Sequence, residues 1–321
     1  MVKRALGILA TVICLSQPSF AGVSAQGALS YGFFNRVSAG SGARLSSALL
    51  ELKGGTGPAF NVAVGSLLLP TVAGDPLKNG ANFATNGGGS RFGLLWGYLK
   101  IPAPGGFELS VGELTTNVGA ELPATYSNPN VQFGLLWRAQ PFIYKGVRLS
   151  KEEGRLNLYT EYDWGKGLGS SDSRAFGAGV GFNLSRGELG LNYFSVNGYK
   201  RMLDAVYTLP LSGGFSVTLN ADYQWLVDSP SKRGEGVALY LTASGGAFSL
   251  PVRFEVVNEE AGSNIYGLSG GRAVSVTVTP TFKLNGWSEI RLEVSEVSAS
   301  RPAFNGKSEV TSVAVEFTAC F

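Results

Sequence analysis

The serine of the pentapeptide Gly267-Leu268-Ser269-Gly270-Gly271 is the first candidate for chemistry, because its spacing matches the GxSxG pattern of a serine nucleophile. A serine of this kind needs a histidine to take its proton, and the 321 residues include no histidine. The same absence excludes Cys-His catalysis and every imidazole metal site. We therefore expect neither an enzyme nor a resident cofactor or metal ion.

Most of the other chemically useful side chains lie in segments where apolar and polar residues alternate. Eleven acids and five bases share the hydrophilic side of these segments: Glu51, Glu108, Glu161, Asp163, Glu188, Asp204, Asp222, Glu255, Glu289, Glu293 and Glu316 against Lys53, Arg148, Arg253, Lys283 and Arg291. The hydrophilic side is therefore expected to be acidic. Alternatively, many of these charges pair across neighbouring strands and stiffen the sheet.

Alternation with a period of two residues predicts β-strands that have one apolar and one polar face. The sequence holds sixteen such segments: 28–37, 43–53, 59–69, 91–101, 106–117, 141–150, 155–164, 174–184, 187–198, 200–210, 215–227, 235–244, 248–259, 271–283, 288–300 and 308–321. A soluble sandwich would turn the apolar faces inward, and a membrane barrel would turn them outward.

The connections between these segments favour the barrel, because short and long ones alternate. The longer ones are 70–90, 118–140, 165–173, 228–234, 260–270 and 301–307, and short turns lie between them. We predict an all-β fold: a transmembrane, antiparallel, up-and-down β-barrel of about sixteen strands with long extracellular loops and short periplasmic turns. The very short connection near 197–201 leaves fourteen or eighteen strands open.

The N-terminus has the features of a secretory signal. Lys3 and Arg4 precede an apolar stretch that ends at Leu15, and small residues follow it. We predict a signal peptide over residues 1–21, with cleavage after residue 25 as the alternative, and a single barrel domain over 22–321. The net charge is +3, and the sequence contains no run of basic residues, so no nucleic-acid partner is expected.

The last predicted strand ends on Phe321, preceded by the alternating residues Val313, Val315 and Phe317. A terminal phenylalanine on such a strand resembles the signal by which bacterial outer-membrane barrels are recognised for insertion. The resemblance implies an outer-membrane location, lipid contact and recognition of the C-terminal strand by the barrel assembly machinery.

A narrower resemblance lies between residues 109 and 149. Leu109 to Glu113, Glu121, Tyr126-Ser127-Asn128, Arg138 to Phe142 and Gly146 to Leu149 resemble the OmpL-like putative β-barrel porin family. Asn128-Pro129-Asn130 departs from the Ser-Arg-Ser that is more usual in that family. The resemblance implies a bacterial outer-membrane porin.

The connection 118–140 is unusually apolar for an exposed loop, since it includes Phe133 and Trp137. We expect it to fold into the barrel and narrow it, with Glu121 and Arg138 at the constriction. Alternatively, Phe133 to Trp137 extend the sixth strand above the membrane. Gly177, Gly179 and Gly181 lie on the hydrophilic side of the eighth strand, where they leave room for a neighbour or mark a bend.

These expectations combine into one function: passive diffusion of small hydrophilic solutes or ions through a water-filled lumen, with weak cation preference. The expected pore-lining residues are Glu108, Arg148, Glu161, Asp163, Asp222, Arg253, Glu255, Arg291 and Glu293. A homotrimer is the expected assembly. The alternatives are a non-conducting outer-membrane barrel that acts as a surface receptor or structural anchor, and a secreted β-rich adhesin.

Overall fold

The computed structural model describes residues 22–35, 42–55, 57–67, 69–73, 92–165, 173–304 and 306–320. The predicted signal peptide, residues 1–21, and the predicted insertion signal at Phe321 lie outside these residues. The strands are β1 (Val23–Phe34), β2 (Gly42–Gly54), β3 (Ala59–Leu67), β4 (Gly93–Ala103), β5 (Phe107–Thr115), β6 (Ile143–Glu153), β7 (Leu156–Trp164), β8 (Arg174–Asn183), β9 (Glu188–Val196), β10 (Lys200–Pro210), β11 (Phe215–Leu226), β12 (Arg233–Gly245), β13 (Phe248–Glu259), β14 (Gly271–Val278), β15 (Thr281–Lys283), β16 (Ser288–Ala299) and β17 (Glu309–Cys320).

The strands form one closed antiparallel sheet. Each strand pairs with its neighbours in the sequence, except that β14 and β15 do not pair with each other, and β1 also pairs with β17, for example through Tyr31 and Phe317. β14 and β15 both pair with β13 and β16, so together they form one wall strand that is interrupted at Thr279 and Pro280. The predicted barrel of sixteen strands is therefore confirmed.

The observed strands depart from the predicted ones in two places. The predicted strand 271–283 is divided because Pro280 has no N–H to donate to a partner strand. The first strand begins at Val23 rather than at residue 28, because Val23 to Gly27 pair with the inner end of β2. The outer connection between β9 and β10 is as short as expected, and Gly198 in this turn has a φ of 64°.

Along the strands, polar residues are buried and apolar residues are exposed, which is the reverse of a soluble protein. On β13, Arg253 and Glu255 are buried, whereas Phe254 and Val256 are exposed on the outer surface. Exposed rings lie at both ends of the strands: Tyr162 and Tyr223 at the outer ends, and Phe107, Phe215, Phe248 and Phe282 at the inner ends. This is the arrangement of a wall whose outer face contacts acyl chains and whose aromatic side chains sit at the interfaces.

At two inward positions an apolar residue stands where the alternation would place a polar one, and packing explains both. Leu49 and Leu95 are buried on the inner side of the wall, where they belong to one apolar cluster with Trp137 and Phe142. The pairing of β3 with β4 shifts register between Ala63 and Val64, opposite Leu95. Within the described residues, no helix is long and apolar enough to cross a membrane.

At Gly112, the backbone of β5 lies too close to the backbone of β4 for a side chain to fit between them. The φ of Gly112, 145°, is one that side chains rarely adopt, and a Cβ there would collide with the backbone carbonyl of Gly97 on β4. We expect Gly112→Ala to lower the free energy of unfolding by about 2 kcal/mol. Urea titration of the refolded barrel, followed by tryptophan fluorescence, measures it.

Gly286 provides the matched control, because nothing lies within 4 Å of a Cβ added in that turn. Gly286→Ala should leave the urea midpoint unchanged. Equal midpoints for the two variants would contradict the close approach at Gly112.

Candidate functional site

Residues 116–142, which connect β5 to β6 and which we call the crossing segment, donate backbone N–H groups to acids of the wall. Glu293 on β16 accepts from Val131 N at 2.6 Å and from Gln132 N at 2.9 Å. Glu255 on β13 accepts from Leu136 N at 3.1 Å. An irregular segment has backbone donors without strand partners, and these carboxylates satisfy some of them.

Arginines of the wall satisfy carbonyl groups of the same segment. Arg291 donates to Thr125 O at 2.8 Å and to Asn128 O at 3.0 Å. Arg253 donates to Gln132 O at 2.8 Å. Both guanidinium groups are almost completely buried. Charge-assisted hydrogen bonds of this kind are about twice as strong as neutral ones, so they fix the position of the segment.

Both ends of the crossing segment contact β10 and β11. Gly119 N donates to Asp204 Oδ2 at 3.2 Å, and Ala120 N donates to Asn220 Oδ1 at 3.2 Å. Gln140 donates from Nε2 to both carboxylate oxygens of Asp222, at 3.2 and 3.1 Å. The segment is thus bound to side chains of β10, β11, β13 and β16, and Thr125 and Gln132 also donate to Glu316 and Ser312 of β17.

Two apolar clusters complete the contacts. Leu135 and Leu136 pack with Val257 in one cluster. In the other, the rings of Phe133 and Trp137 stack with centroids 4.1 Å apart, and the ring of Phe142 meets that of Trp137 edge-on at 5.0 Å. β6 begins only at Ile143, after a 3₁₀ turn over 137–139.

Glu121 and Arg138, which were expected at a constriction, contact different residues. Glu121 is buried, forms an ion pair with Arg253 and accepts from Gly134 N at 2.9 Å. Arg138 lies over the ring of Phe304, with 5.9 Å between the guanidinium carbon and the ring centroid.

The expected pore-lining charges form clusters with an excess of acid. Arg253 pairs with Glu255 at 3.1 Å as well as with Glu121. Arg148 pairs with Glu161 at 2.6 Å, two residues from Asp163 on the same strand. Lys200 is the base near Asp222, which faces Asp204 across β10 and β11, and its ammonium donates to Ala139 O and Gln224 Oε1.

The two remaining pairs are balanced. Arg291 and Glu316 form a buried pair with 3.2 Å between Nη1 and Oε2. Glu108 pairs with Lys100 at 2.8 Å near the inner end of the wall, where both side chains are about 40% exposed. In the described part of the chain, no group of three His, Cys, Asp or Glu residues is placed to hold a metal ion.

Amide side chains are the site residues that sequence reasoning missed. Tyr159 Oη donates to Asn192 Oδ1 at 3.0 Å, and Asn192 Nδ2 donates to Asp204 Oδ2 at 2.7 Å. Asn220 Nδ2 donates to Asp204 Oδ1 at 2.6 Å. The alternation of β9 and β11 places these asparagines on the hydrophilic side. They carry no charge, so the charge pattern of the sequence does not indicate them.

Glu259 was also missed, although it shares the parity of Arg253 and Glu255 on β13. It accepts from Tyr266 N at 2.6 Å, Leu268 N at 2.9 Å and Gly270 N at 3.1 Å. One carboxylate therefore organises the connection 260–270, and Ser269 lies in this turn with a φ of 57°.

Burial raises the pKa of the Glu121 carboxyl from its usual 4.5 to about 7, against the opposing effect of the Arg253 guanidinium. The folded protein therefore keeps this proton to a higher pH than the unfolded chain does. The resulting contribution to stability is fully present below pH 4.5 and is lost as the pH rises through about 7.

We predict that wild type loses on the order of 2 kcal/mol of unfolding free energy, relative to Glu121→Gln, between pH 4.5 and pH 8. Glutamine keeps the shape and the acceptor oxygen but does not titrate. Denaturant titration of both proteins at the two pH values measures the difference. Parallel pH dependence of the two proteins would contradict the buried position of this carboxyl.

The barrel architecture is shared with solved outer-membrane proteins. A loop-deletion mutant of OmpT from Vibrio cholerae is similar with a TM-score of 0.64 and 11% identity, over 93% of this chain and 99% of that one. The channel DcaP of Acinetobacter baumannii gives 0.63 and 12%, over 96% and 100%. An anion-selective porin from Comamonas acidovorans gives 0.61 and 12%, over 93% and 99%. At these identities the likeness shows the fold alone.

No curated protein matches the chain in a sequence comparison. A family model does match it, over residues 42–321, which is most of its length. That model describes the OmpL-like family, putative beta-barrel porin-2, and confirms the resemblance seen between residues 109 and 149. With the closed wall, the apolar outer face and the porin neighbours, this match shows that the chain belongs to the OmpL-like β-barrel porin family of the bacterial outer membrane.

Proposed function

We propose that the protein is a diffusion channel for small hydrophilic solutes or ions, and that the crossing segment narrows its water-filled lumen. The observation that carries the proposal is the set of hydrogen bonds from this segment to inward side chains of β10, β11, β13 and β16. A segment fixed inside a barrel reduces the cross-section through which solutes pass.

The inner half of the wall supports a wet lumen. Its inward side chains are polar and partly exposed: Asn61, Lys100, Glu108, Ser150, Asn157, Thr208, Ser216, Thr218 and Thr242. Polar side chains that face away from the lipid and keep partial exposure are what an aqueous channel requires.

The charge clusters support weak cation preference. Each of three clusters combines one base with two acids: Arg148 with Glu161 and Asp163, Lys200 with Asp222 and its cross-strand neighbour Asp204, and Arg253 with Glu121 and Glu255. With every carboxyl ionised, each cluster carries one excess negative charge, and the Arg253 cluster reaches this state above a pH of about 7, where Glu121 loses its proton. Such a field attracts cations into the lumen.

Reversal potentials in planar bilayers under a KCl gradient test this selectivity. We expect the potassium permeability to exceed the chloride permeability by about two- to fivefold, because the field of buried, partly compensated acids is moderate. The preference should weaken as ionic strength rises, since salt screens the field. A reversal potential of the opposite sign would show that the excess acids do not govern permeation.

Shortening the crossing segment tests its role as a constriction. Deleting Ala124 to Asn130 removes the carbonyl groups that accept from Arg291, so the remaining chain should occupy less of the lumen. We expect a larger single-channel conductance.

Deletion of Ser229 to Ser231 is the control, because these residues lie in the outer connection between β11 and β12. This deletion should leave the conductance unchanged. If the first deletion also left it unchanged while the barrel still showed heat-modifiable migration in detergent gels, the segment would not limit the current.

A non-conducting barrel that acts as a surface receptor or structural anchor is the second candidate. The observation that favours it is the apolar packing of Leu135, Leu136 and Trp137 against inward residues of the wall. Purified protein that inserts into bilayers without producing current steps would support this function over diffusion.

We include three partners in the proposal. Outer-membrane lipid contacts the exposed apolar face, and the barrel assembly machinery recognises the last strand with Phe321. The proposed assembly is a homotrimer, as one solved form of the similar OmpT protein is described as a trimer.

A further inference from the structure

A cleft of about 630 Å³ opens at the inner ends of β7 to β10, where the short periplasmic turns lie. Its lining combines apolar side chains with two guanidinium groups. The residues that matter here are Arg155, Leu156, Phe182, Leu184, Arg186 and Tyr207.

The apolar part of the cleft is a row of side chains on the outer face of the wall. Leu156 faces Phe182 across β7 and β8, Phe182 faces Leu189 across β8 and β9, and Leu189 faces Tyr207 across β9 and β10. Phe182 is 36% exposed, and Leu184 beyond it is 46% exposed. Aromatic and aliphatic side chains at the end of a spanning strand meet lipid at the level of the headgroups.

The two arginines stand at the periplasmic end of this row, in neighbouring turns. Arg155 lies in the turn between β6 and β7, and its carbonyl accepts from Asn183 N at 2.8 Å. Arg186 lies in the turn between β8 and β9, and its carbonyl accepts from Tyr207 Oη at 3.4 Å. These bonds hold the backbone of both turns beside the apolar row.

The charge of both arginines is uncompensated. Their side chains are exposed, and neither guanidinium forms a hydrogen bond or an ion pair with a described residue. Glu153, the acid that precedes Arg155, pairs with Lys151 at 2.7 Å. Two positive charges therefore face the boundary between water and lipid, directly below an apolar surface.

We propose that the cleft binds one anionic glycerophospholipid of the periplasmic leaflet, such as phosphatidylglycerol. The phosphodiester group lies between Arg155 and Arg186, because guanidinium groups match phosphate oxygens in geometry and charge. The acyl chains lie along Leu156, Phe182 and Leu189. The site rests on the lipid partner of the proposed function, which it specifies at one place on the wall, and it does not depend on diffusion.

Native mass spectrometry of the barrel released from detergent micelles tests the site, with phosphatidylglycerol or phosphatidylcholine added in equal amounts. Both lipids carry a phosphodiester group, but only phosphatidylglycerol has a net negative charge. We expect phosphatidylglycerol to bind about tenfold more tightly, since its charge is attracted by both arginines. Equal affinities for the two lipids would overturn the proposal.

Replacing both arginines, Arg155→Gln with Arg186→Gln, should weaken the binding of phosphatidylglycerol about thirtyfold. Arg201→Gln with Arg272→Gln is the matched control, because it removes two exposed arginines near the outer ends of β10 and β14. The control should keep the wild-type affinity. Unchanged binding in the first double variant would overturn the site.

The apolar row distinguishes a lipid from a free phosphate compound. Leu184→Asn should weaken phosphatidylglycerol binding about fivefold, because it removes apolar contact with the acyl chains. Leu211→Asn makes the same change in the next periplasmic turn, where Leu211 is 48% exposed, and should have no effect. Displacement of the lipid by an equal concentration of glycerol 3-phosphate would overturn the assignment to a lipid.

These outcomes can be separated from those that concern diffusion, since none of the measurements uses current. A barrel that inserts into vesicles but binds both lipids equally would refute this site and leave the lipid-facing wall and the diffusion function intact. A barrel that prefers phosphatidylglycerol but does not conduct would refute only diffusion.

Discussion

Backbone groups inside hydrocarbon have no water to bond with, so every N–H and C=O of a membrane-spanning strand must find a partner in another strand. Here that requirement is met by the pairing of β1 with β17, from Ala28 with Cys320 to Phe34 with Ala314. Closure leaves the sheet without an edge in the lipid. It also fixes which side chains face inward, because the period of a strand is two residues.

Closure creates a second problem on the inner side, where charged side chains are removed from bulk water. These charged side chains form hydrogen bonds with backbone groups that have no strand partner. The irregular backbone of the crossing segment has free donors and acceptors, and the wall supplies Glu255, Glu293, Arg253 and Arg291 for them. Many of the wall charges therefore hold the segment in place.

The strands were predictable from the sequence because the lipid and the lumen impose a sharp alternation. Phe254 and Val256 against Arg253 and Glu255 show this on β13. The division at Thr279 and Pro280 was harder to see, because alternation continues across the break. Leu49 and Leu95 interrupted the pattern for a reason that only the fold reveals, since they pack against Trp137 and Phe142.

The charged residues of the wall were predictable by parity, but their partners were not. Nothing in the spacing of Glu121 and Arg253 indicates that they meet, because 132 positions separate them and the contact depends on the path of the crossing segment. The glycines of β8 show the same limit. The sequence indicated open space beside them, and the structure fills it with Glu161 at Gly177 and with Tyr159 at Gly179.

A barrel of this kind depends on which face of the wall meets lipid and which meets water. Adjacent residues of β11 offer the most direct measurement, since Leu219 is exposed on the outer face and Thr218 points inward to Thr208. With Cys320 replaced by serine, Leu219→Cys and Thr218→Cys can each be treated with a membrane-impermeant thiol reagent in proteoliposomes. We predict labelling at position 218 and none at position 219. Labelling at 219 with protection at 218 would contradict it.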